Sequence, residues 1–385
     1  MSESQSHLNY KQQIDLGSFY TSDKIVDLTY SLLKKNVHDL GNLTIFDSSC
    51  GYGSFLSTEN KAKRFIGADI DGEALSKAKE INPKADFFET NSLQKVSRSD
   101  FRIKNDEKLV LIGNPPYNDT TSIIRQNIKD KSAANEIDSD IKTRDMGMSF
   151  LLSYDKLKAD YICVLHPLSY LIKKTNFMAL RKLAKNYKLI DGIIISSHEF
   201  SDTSRSMAFP ILISFYRREE NGMDYEYIKK YRFHTKEGTT FCLDDFDTIA
   251  NYISKYPNKN HISDTDKPIA KFYTMRDINA LKRSRTFIDN DMTNTVYVTM
   301  DKLPYYCYVD VFKKYADRVP YYFGNCDVII NQEEFEKIKE CFVFESIRNN
   351  PVLKKALNFR EIPDAALKIE KYFNKLLGEH LYAAN

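Results

Sequence analysis

The amino-acid sequence predicts an α/β protein: a seven-stranded, largely parallel sheet, followed by a second domain of mixed α+β character. Three observations predict it. Short apolar runs alternate with helical patterns through the first 220 residues. The segments able to carry chemistry stand at the carboxyl ends of those runs, where open α/β sheets bind ligands. After "FYRREENGMD" (215–224) the alternation stops and a Tyr-rich, less periodic stretch begins, which divides the chain into 1–222 and 223–385.

The elements follow in order. "SDKIVDLTYSLLKKN" sets Ile25, Leu28, Leu32 and Leu33 on one helical face, with Ser22 as N-cap. "LTIFD" (43–47) is a short buried strand, and "FDSSCGYGSFL" (46–56) carries it through a glycine turn into a helical stretch. "RFIGADI" (64–70), "ADFFE" (85–89) and "KLVLIGN" (108–114) are strands with room for helices between them. "MGMSFLLSYDKLK" reads as helix, "YICVLHP" (161–167) as strand and "NFMALRKLAKNY" as one helix. "LIDGIIIS" and "AFPILISFY" complete the seven strands.

With 385 residues, 42% hydrophobic and 28% charged, the chain can bury a sizeable core. A net charge of +3 excludes a global polycation, so a nucleic acid would have to be met by local patches. The six cysteines show no C-x-x-C spacing, so neither a zinc site nor a redox motif is readable. No apolar run approaches the ~20 residues of a membrane span, and the N-terminus has no apolar signal core. These features are those expected of a reduced, cytoplasmic protein with no bound metal.

Three segments carry the chemistry. In the first, Gly51 and Gly53 let the backbone pass close to a nucleotide-like group, although packing alone explains such a turn equally well. In the second, "GADID" (67–71), Asp69 lies 18 residues beyond Gly51 at a strand end, where a carboxylate binds ribose hydroxyls; Asp71 is placed to cap the next helix. The third is Asn114-Pro115-Pro116-Tyr117. Its prolines fix φ and remove two N–H donors. What remains is acceptors, the Asn114 side-chain oxygen and the Pro115 carbonyl, which suit an –NH2 group, with Tyr117 as a flat face for a base.

In this order, the three segments resemble those of an S-adenosylmethionine-dependent DNA adenine-N6 methyltransferase. The narrower resemblance is to the class whose cofactor motifs precede the N-P-P-Y motif, with the target-recognition domain C-terminal. It covers roughly residues 10 to 220. The resemblance implies a Rossmann-like methyltransferase domain. It also implies cofactor contacts at Tyr20 and Thr21 in "LGSFYTSDKIVD", at Asp47, Ser49, Cys50 and Gly51, and at Asp69, Ile70 and Asn91. Asn91 stands where the family usually has Asp, and its amide oxygen can accept the same bond from the cofactor's adenine. Phe200 stands where the family often packs an aromatic against a flipped base. The implied substrate is double-stranded DNA, in the setting of restriction–modification with a cognate endonuclease acting separately.

The implied reaction is an in-line methyl transfer onto an aryl amine, with proximity as the main source of rate. Asn114 and Pro115 would hold both amine N–H bonds. The base must leave the duplex, and stacking on Tyr117 would offset part of that cost. For phosphate contacts the stretch 267–285 offers Lys267, Lys271, Arg276, Lys282, Arg283 and Arg285 against Asp277 alone, and a solvated basic helix explains it equally well. Lys282 and Arg283 are its DNA-binding candidates. The polar segment between Tyr117 and Met146 is expected to be a loop that orders on DNA. His166 and His198 read as hydrogen-bonded structure, and Cys50 lacks the Pro-Cys context of a cytosine-C5 nucleophile. The alternative is an N-P-P-Y methyltransferase acting on RNA or on protein glutamine.

Overall fold

A computed structural model describes residues 21–117, 136–200, 207–262 and 267–378. The chain forms two compact units, Met1–Phe241 and Cys242–Asn385. The first unit runs past the expected boundary at 222/223. Beyond it, the helix Tyr225–Lys230 (α7) lies against the helix Ser169–Ile172 (α4), and Thr235 forms a parallel bridge to Ile194, so residues up to Phe241 stay with the sheet.

Helix α1 (Asp23–Asn36) buries Ile25, Val26, Tyr30, Leu32 and Leu33. Each such side chain is worth roughly 1.5–3 kcal/mol of burial. Ser22 occupies the N-cap position, but its side chain makes no capping bond. Strand β1 (Thr44–Asp47) is buried along its whole length and lies between β2 (Arg64–Asp69) and the later β4. The helix expected after the glycine turn does not form. Gly51 and Gly53 take φ of 50° and 77°, and the segment folds as successive turns that bury Phe55 and Leu56. Helix α2 (Gly72–Ile81) starts at Asp71, whose side chain accepts from the Glu73 and Ala74 amides, as expected. Strands β3 (Asp86–Glu89) and β4 (Leu109–Gly113), helix α3 (Met146–Lys156) and strand β5 (Tyr161–Pro167) follow.

A short helix, α4 (Ser169–Ile172), comes next, and the single helix read over 176–187 is instead two short helices, α5 (Lys174–Ala179) and α6 (Arg181–Asn186). The break falls at buried Leu180, whose amide is shared between the Asn176 and Phe177 carbonyls. Strands β6 (Tyr187–Ser196) and β7 (Pro210–Arg218) close the sheet in the order β3-β2-β1-β4-β5-β7-β6. All neighbours are parallel except β7, which runs antiparallel to both β5 and β6. This is the seven-stranded, largely parallel Rossmann-like sheet expected from the sequence. Chain order reverses between β1 and β4, so a crevice opens at their carboxyl ends.

After the small hairpin β8 (Phe233–His234) and β9 (Thr240–Phe241), the second unit pairs β10 (Asp247–Thr248) with β13 and β11 (Ala270–Tyr273) with β12 (Thr295–Val298). Helices α8 (Ile278–Arg283) and α9 (Leu303–Tyr315), strand β13 (Ile329–Ile330) and helices α10 (Gln332–Asn349), α11 (Pro351–Ala356) and α12 (Ala365–Leu377) complete it. Tyr308 sits at the centre of its core, against Phe335, Phe342, Tyr372 and Phe373, and its hydroxyl donates to the Ile329 carbonyl at 2.6 Å. Much of the Tyr-rich texture of this region is therefore core packing.

Candidate active site

The three strands around the crevice deliver Asp47, Asp69 and Asn114 to one end of the sheet. Asp47 is buried, and its Oδ1 accepts the Ser49 amide at 3.1 Å. Burial, with a contribution from Asp69, pushes its carboxyl up to about 8. Asp69 holds the glycine turn in place: Oδ2 accepts the Gly51 amide at 2.8 Å and Oδ1 the Asp71 amide at 3.0 Å. Burial raises its pKa too, against these two bonds. No cationic side chain pairs with either carboxylate among the described residues.

The loop between β1 and β2 is stitched down by the Cys50 amide, which donates to the Ala68 carbonyl at 2.9 Å. The Cys50 thiol is buried and its pKa pushed far up, by burial first and by both carboxylates after it, which disfavours the thiolate. The Ser49 hydroxyl is shielded and has no partner among the described residues. Ile70, next to Asp69, is 45% exposed, an apolar surface at the edge of the crevice. Asn91 follows β3, but its amide is already engaged. Oδ1 accepts the Leu93 amide at 3.0 Å, and Nδ2 donates to the Glu136 carbonyl at 2.9 Å. One lone pair of Oδ1 remains for a ligand.

Gly113 ends β4 at φ 140°, and a Cβ there would stand 2.6 Å from Asp47 Oδ1. Only glycine lets β4 close onto Asp47 and turn into the N-P-P-Y segment. Asn114 Nδ2 donates to Thr21 Oγ1 at 3.3 Å, which joins the N-terminal segment to this loop. Asn114 Oδ1 is shielded from water and has no partner among the described residues. Such an acceptor costs roughly 1–3 kcal/mol until something donates to it. Pro115 is buried, and Tyr117 is half-buried against the sheet core. Burial, and after it the Asp145 carboxylate, push the Tyr117 phenol up. Phe200 lies in the same core cluster and is 2% exposed, so it backs this region from within.

Tyr20 lies outside the described residues, as does most of the segment expected to order on DNA. Its described end, 136–145, is strapped down by Asp138, which accepts the Lys95 and Val96 amides and pairs with Lys156 at 2.7 Å. His166 is structural, as expected. Its Nδ1–H donates to the Pro167 carbonyl at 3.0 Å, Nε2 accepts from the Tyr216 hydroxyl at 2.7 Å, and burial pushes its pKa down to about 4. His198 is exposed. Among the described residues no His, Cys, Asp and Glu cluster could hold a metal ion, and no helix is long and apolar enough to cross a membrane.

In the second unit the basic stretch is not one helix. It is β11, a connecting loop and the short α8. Lys282 is partly buried and reaches the exposed Asp317 at 3.7 Å, and burial lowers its pKa. Lys271 pairs with Asp291 at 3.1 Å. Lys267, Arg276, Arg283 and Arg285 are exposed and make no ion pair among the described residues.

Sequence reasoning missed Gly113 and Asp138, and assigned no role to Asp145, Gly147 or Tyr170. An Asp just before "MGMSFLL" is a readable N-cap signal. The close approaches of the two glycines are tertiary and left no pattern.

No protein-family model matches the chain, and no curated protein matches it. Solved structures do. The methyltransferase subunit of a type I restriction-modification system from Streptococcus thermophilus is 16% identical, with 60% of this chain and 48% of that chain covered and a TM-score of 0.40. A dimethyladenosine transferase from Plasmodium falciparum is 13% identical over 52% of this chain and 64% of that one, with a TM-score of 0.35. Magnesium protoporphyrin IX methyltransferase from Synechocystis, solved with bound S-adenosylmethionine, is 13% identical over 55% and 85%, with a TM-score of 0.31. At such identities and TM-scores the likeness adds nothing to the fold assignment, which stands on strand order and direction.

Proposed function

We propose that this chain is an S-adenosylmethionine-dependent methyltransferase acting on the exocyclic N6 amine of adenine in double-stranded DNA. We place it in the cytoplasm as the modification partner of a separate restriction endonuclease. The observation that carries the reading is the buried Asn114 Oδ1, which has no partner among the described residues, at the carboxyl end of β4 beside the Gly51–Asp69 corner. A methyltransferase whose substrate is an amine needs such an acceptor, and a packing loop does not.

The residues fit the cofactor. Two carboxylates with no cationic partner among the described residues suit a positively charged molecule, which would relieve the cost of their burial. Asp69, Ile70, Gly51, Ser49, Asp47 and Asn91 would hold it. When bound, S-adenosylmethionine supplies an electrophilic methyl carbon. Asn114 Oδ1 and the Pro115 carbonyl would accept the two N–H bonds of the amine and leave its lone pair free to attack. Pro115 and Pro116, lacking N–H groups, keep competing donors away from that lone pair. Tyr117 would stack the flipped base, with buried Phe200 supporting the wall behind it, at roughly 1–3 kcal/mol per stack. Arg283 and its exposed neighbours Arg276 and Arg285 would contact phosphate. Lys282, turned toward Asp317, has the weaker claim.

The test is incubation with tritiated cofactor and a panel of DNAs, followed by digestion to nucleosides and mass spectrometry. N6-methyladenine at a fixed sequence is expected. Methyl on cytosine, or on RNA or a protein glutamine in preference to DNA, overturns the reading.

A further inference from the structure

We propose that Asp145 is a positioning residue which, with Gly147 and Tyr170, forms the seat that fixes Tyr117. This rests on the reading of Asn114–Tyr117 as the loop that holds the amine.

Asp145 stands just ahead of α3 in extended backbone, φ −114° and ψ 128°. Its Oδ1 accepts the Gly147 amide at 2.9 Å, and the Tyr170 hydroxyl donates to the same oxygen. Tyr170 is itself held, its buried ring lying flat on that of His166 at 5.4 Å and 6°. His166 in turn is clamped between Pro167 and Tyr216. One side of the carboxylate is thus tied to β5 and β7 through two aromatic rings.

The other side meets the catalytic loop. A Cβ on Gly147 would stand 2.9 Å from Tyr117 Cβ and 2.5 Å from the Tyr170 hydroxyl. The first turn of α3 therefore touches Tyr117 and Tyr170 together, and glycine is required for both to fit. The Tyr117 phenol also lies within the field of the Asp145 carboxylate. An ordinary N-cap needs none of this, since Ser, Thr or Asn would serve equally. A carboxylate that caps a helix, anchors one tyrosine and faces another ties the base-stacking ring to the sheet.

The test places a fluorinated tyrosine at position 117 of the full chain and follows it by fluorine NMR. Asp145→Asn keeps an acceptor for Gly147 and Tyr170 but removes the charge. The midpoint for titrating residue 117 should fall while its line width holds. Tyr170→Phe cuts the anchor, and the line should broaden or split. In methylation assays, Tyr170→Phe and Asp145→Ala should raise the KM for DNA about tenfold, the order of one weakened base stack, with cofactor affinity within about twofold of wild type. An unchanged midpoint in folded Asp145→Asn, together with an unchanged line in Tyr170→Phe, overturns the seat. If the wild-type chain transfers no methyl to DNA, the functional reading fails, and the NMR arm still decides whether Asp145 positions Tyr117.

Discussion

Gly113→Ala strikes the joint between β4 and Asn114. Residue 113 sits at φ 140°, where a side chain is strained by roughly 1–3 kcal/mol. The new Cβ would lie 2.6 Å from Asp47 Oδ1 and 2.8 Å from its Cγ. Asp47 is 2% exposed and tethered to the Ser49 amide, so it has no open space to retreat into. Overpacking of this kind costs typically about 1–3 kcal/mol. The two effects together predict a loss of about 2–6 kcal/mol by urea unfolding, and backbone relaxation favours the lower half. Relaxation must move Asn114, and a shift near 1 Å at a reacting centre costs about a hundredfold in turnover. Single-turnover methylation with tritiated cofactor reads that loss. Adding Asp47→Ala should recover stability by relieving the overlap, while the strained φ stays. A Gly113→Ala protein with wild-type urea midpoint and wild-type turnover would refute the reasoning.

Asn114→Ala should leave cofactor affinity by calorimetry nearly unchanged while turnover falls about 10²-fold or more, as on removing a transition-state acceptor. Asp69→Ala should weaken cofactor binding by roughly 1.5–3 kcal/mol and also loosen the loop it tethers at Gly51 and Asp71, visible as faster amide exchange there. Asp47 has a folded pKa raised from 3.8 to about 8, so the native state binds the extra proton. Its contribution to stability is full below pH ~4 and is lost as pH rises toward 8, and Asp47→Asn should flatten that decline in urea titrations across the window. Charge reversal at Arg283 and Arg285 should lower the salt slope of DNA binding by about one unit per lost contact, and an unchanged slope would point the stretch away from DNA.

The sheet was legible because its strands are short, apolar and β-branched, and because turns separate them cleanly. All seven readings correspond to strands. The helical stretch expected after the glycine turn does not form because Gly51 and Gly53 both take left-handed φ, which keeps the chain in turns through buried Phe55 and Leu56. The break at Leu180 has no glycine or proline to announce it. In the site, Asn114, Asp69 and Gly51 were readable from their position at strand ends. The engagement of Asn91 with Leu93 and Glu136 was not, since Glu136 is distant in sequence. Lys282 and Arg283 are adjacent and alike in composition, yet one faces Asp317 and the other solvent, a difference that only the packing of α8 decides.

The strand order bears on how the molecule comes into being. β1 can find β2 soon after residues 64–69 are made, and with that pair Asp47 and Asp69 are already neighbours. Asn114 arrives only when β4 docks on the free edge of β1, a closure over a much longer stretch of chain. Within the sheet β6 pairs only with β7, and β7 must insert beside β5. The corner bearing Phe200 is therefore the last part of the sheet to be locked in. A nascent chain would bring Asp47 and Asp69 together first, place Asn114 next and Phe200 at the end. Non-local pairing of this kind folds slowly.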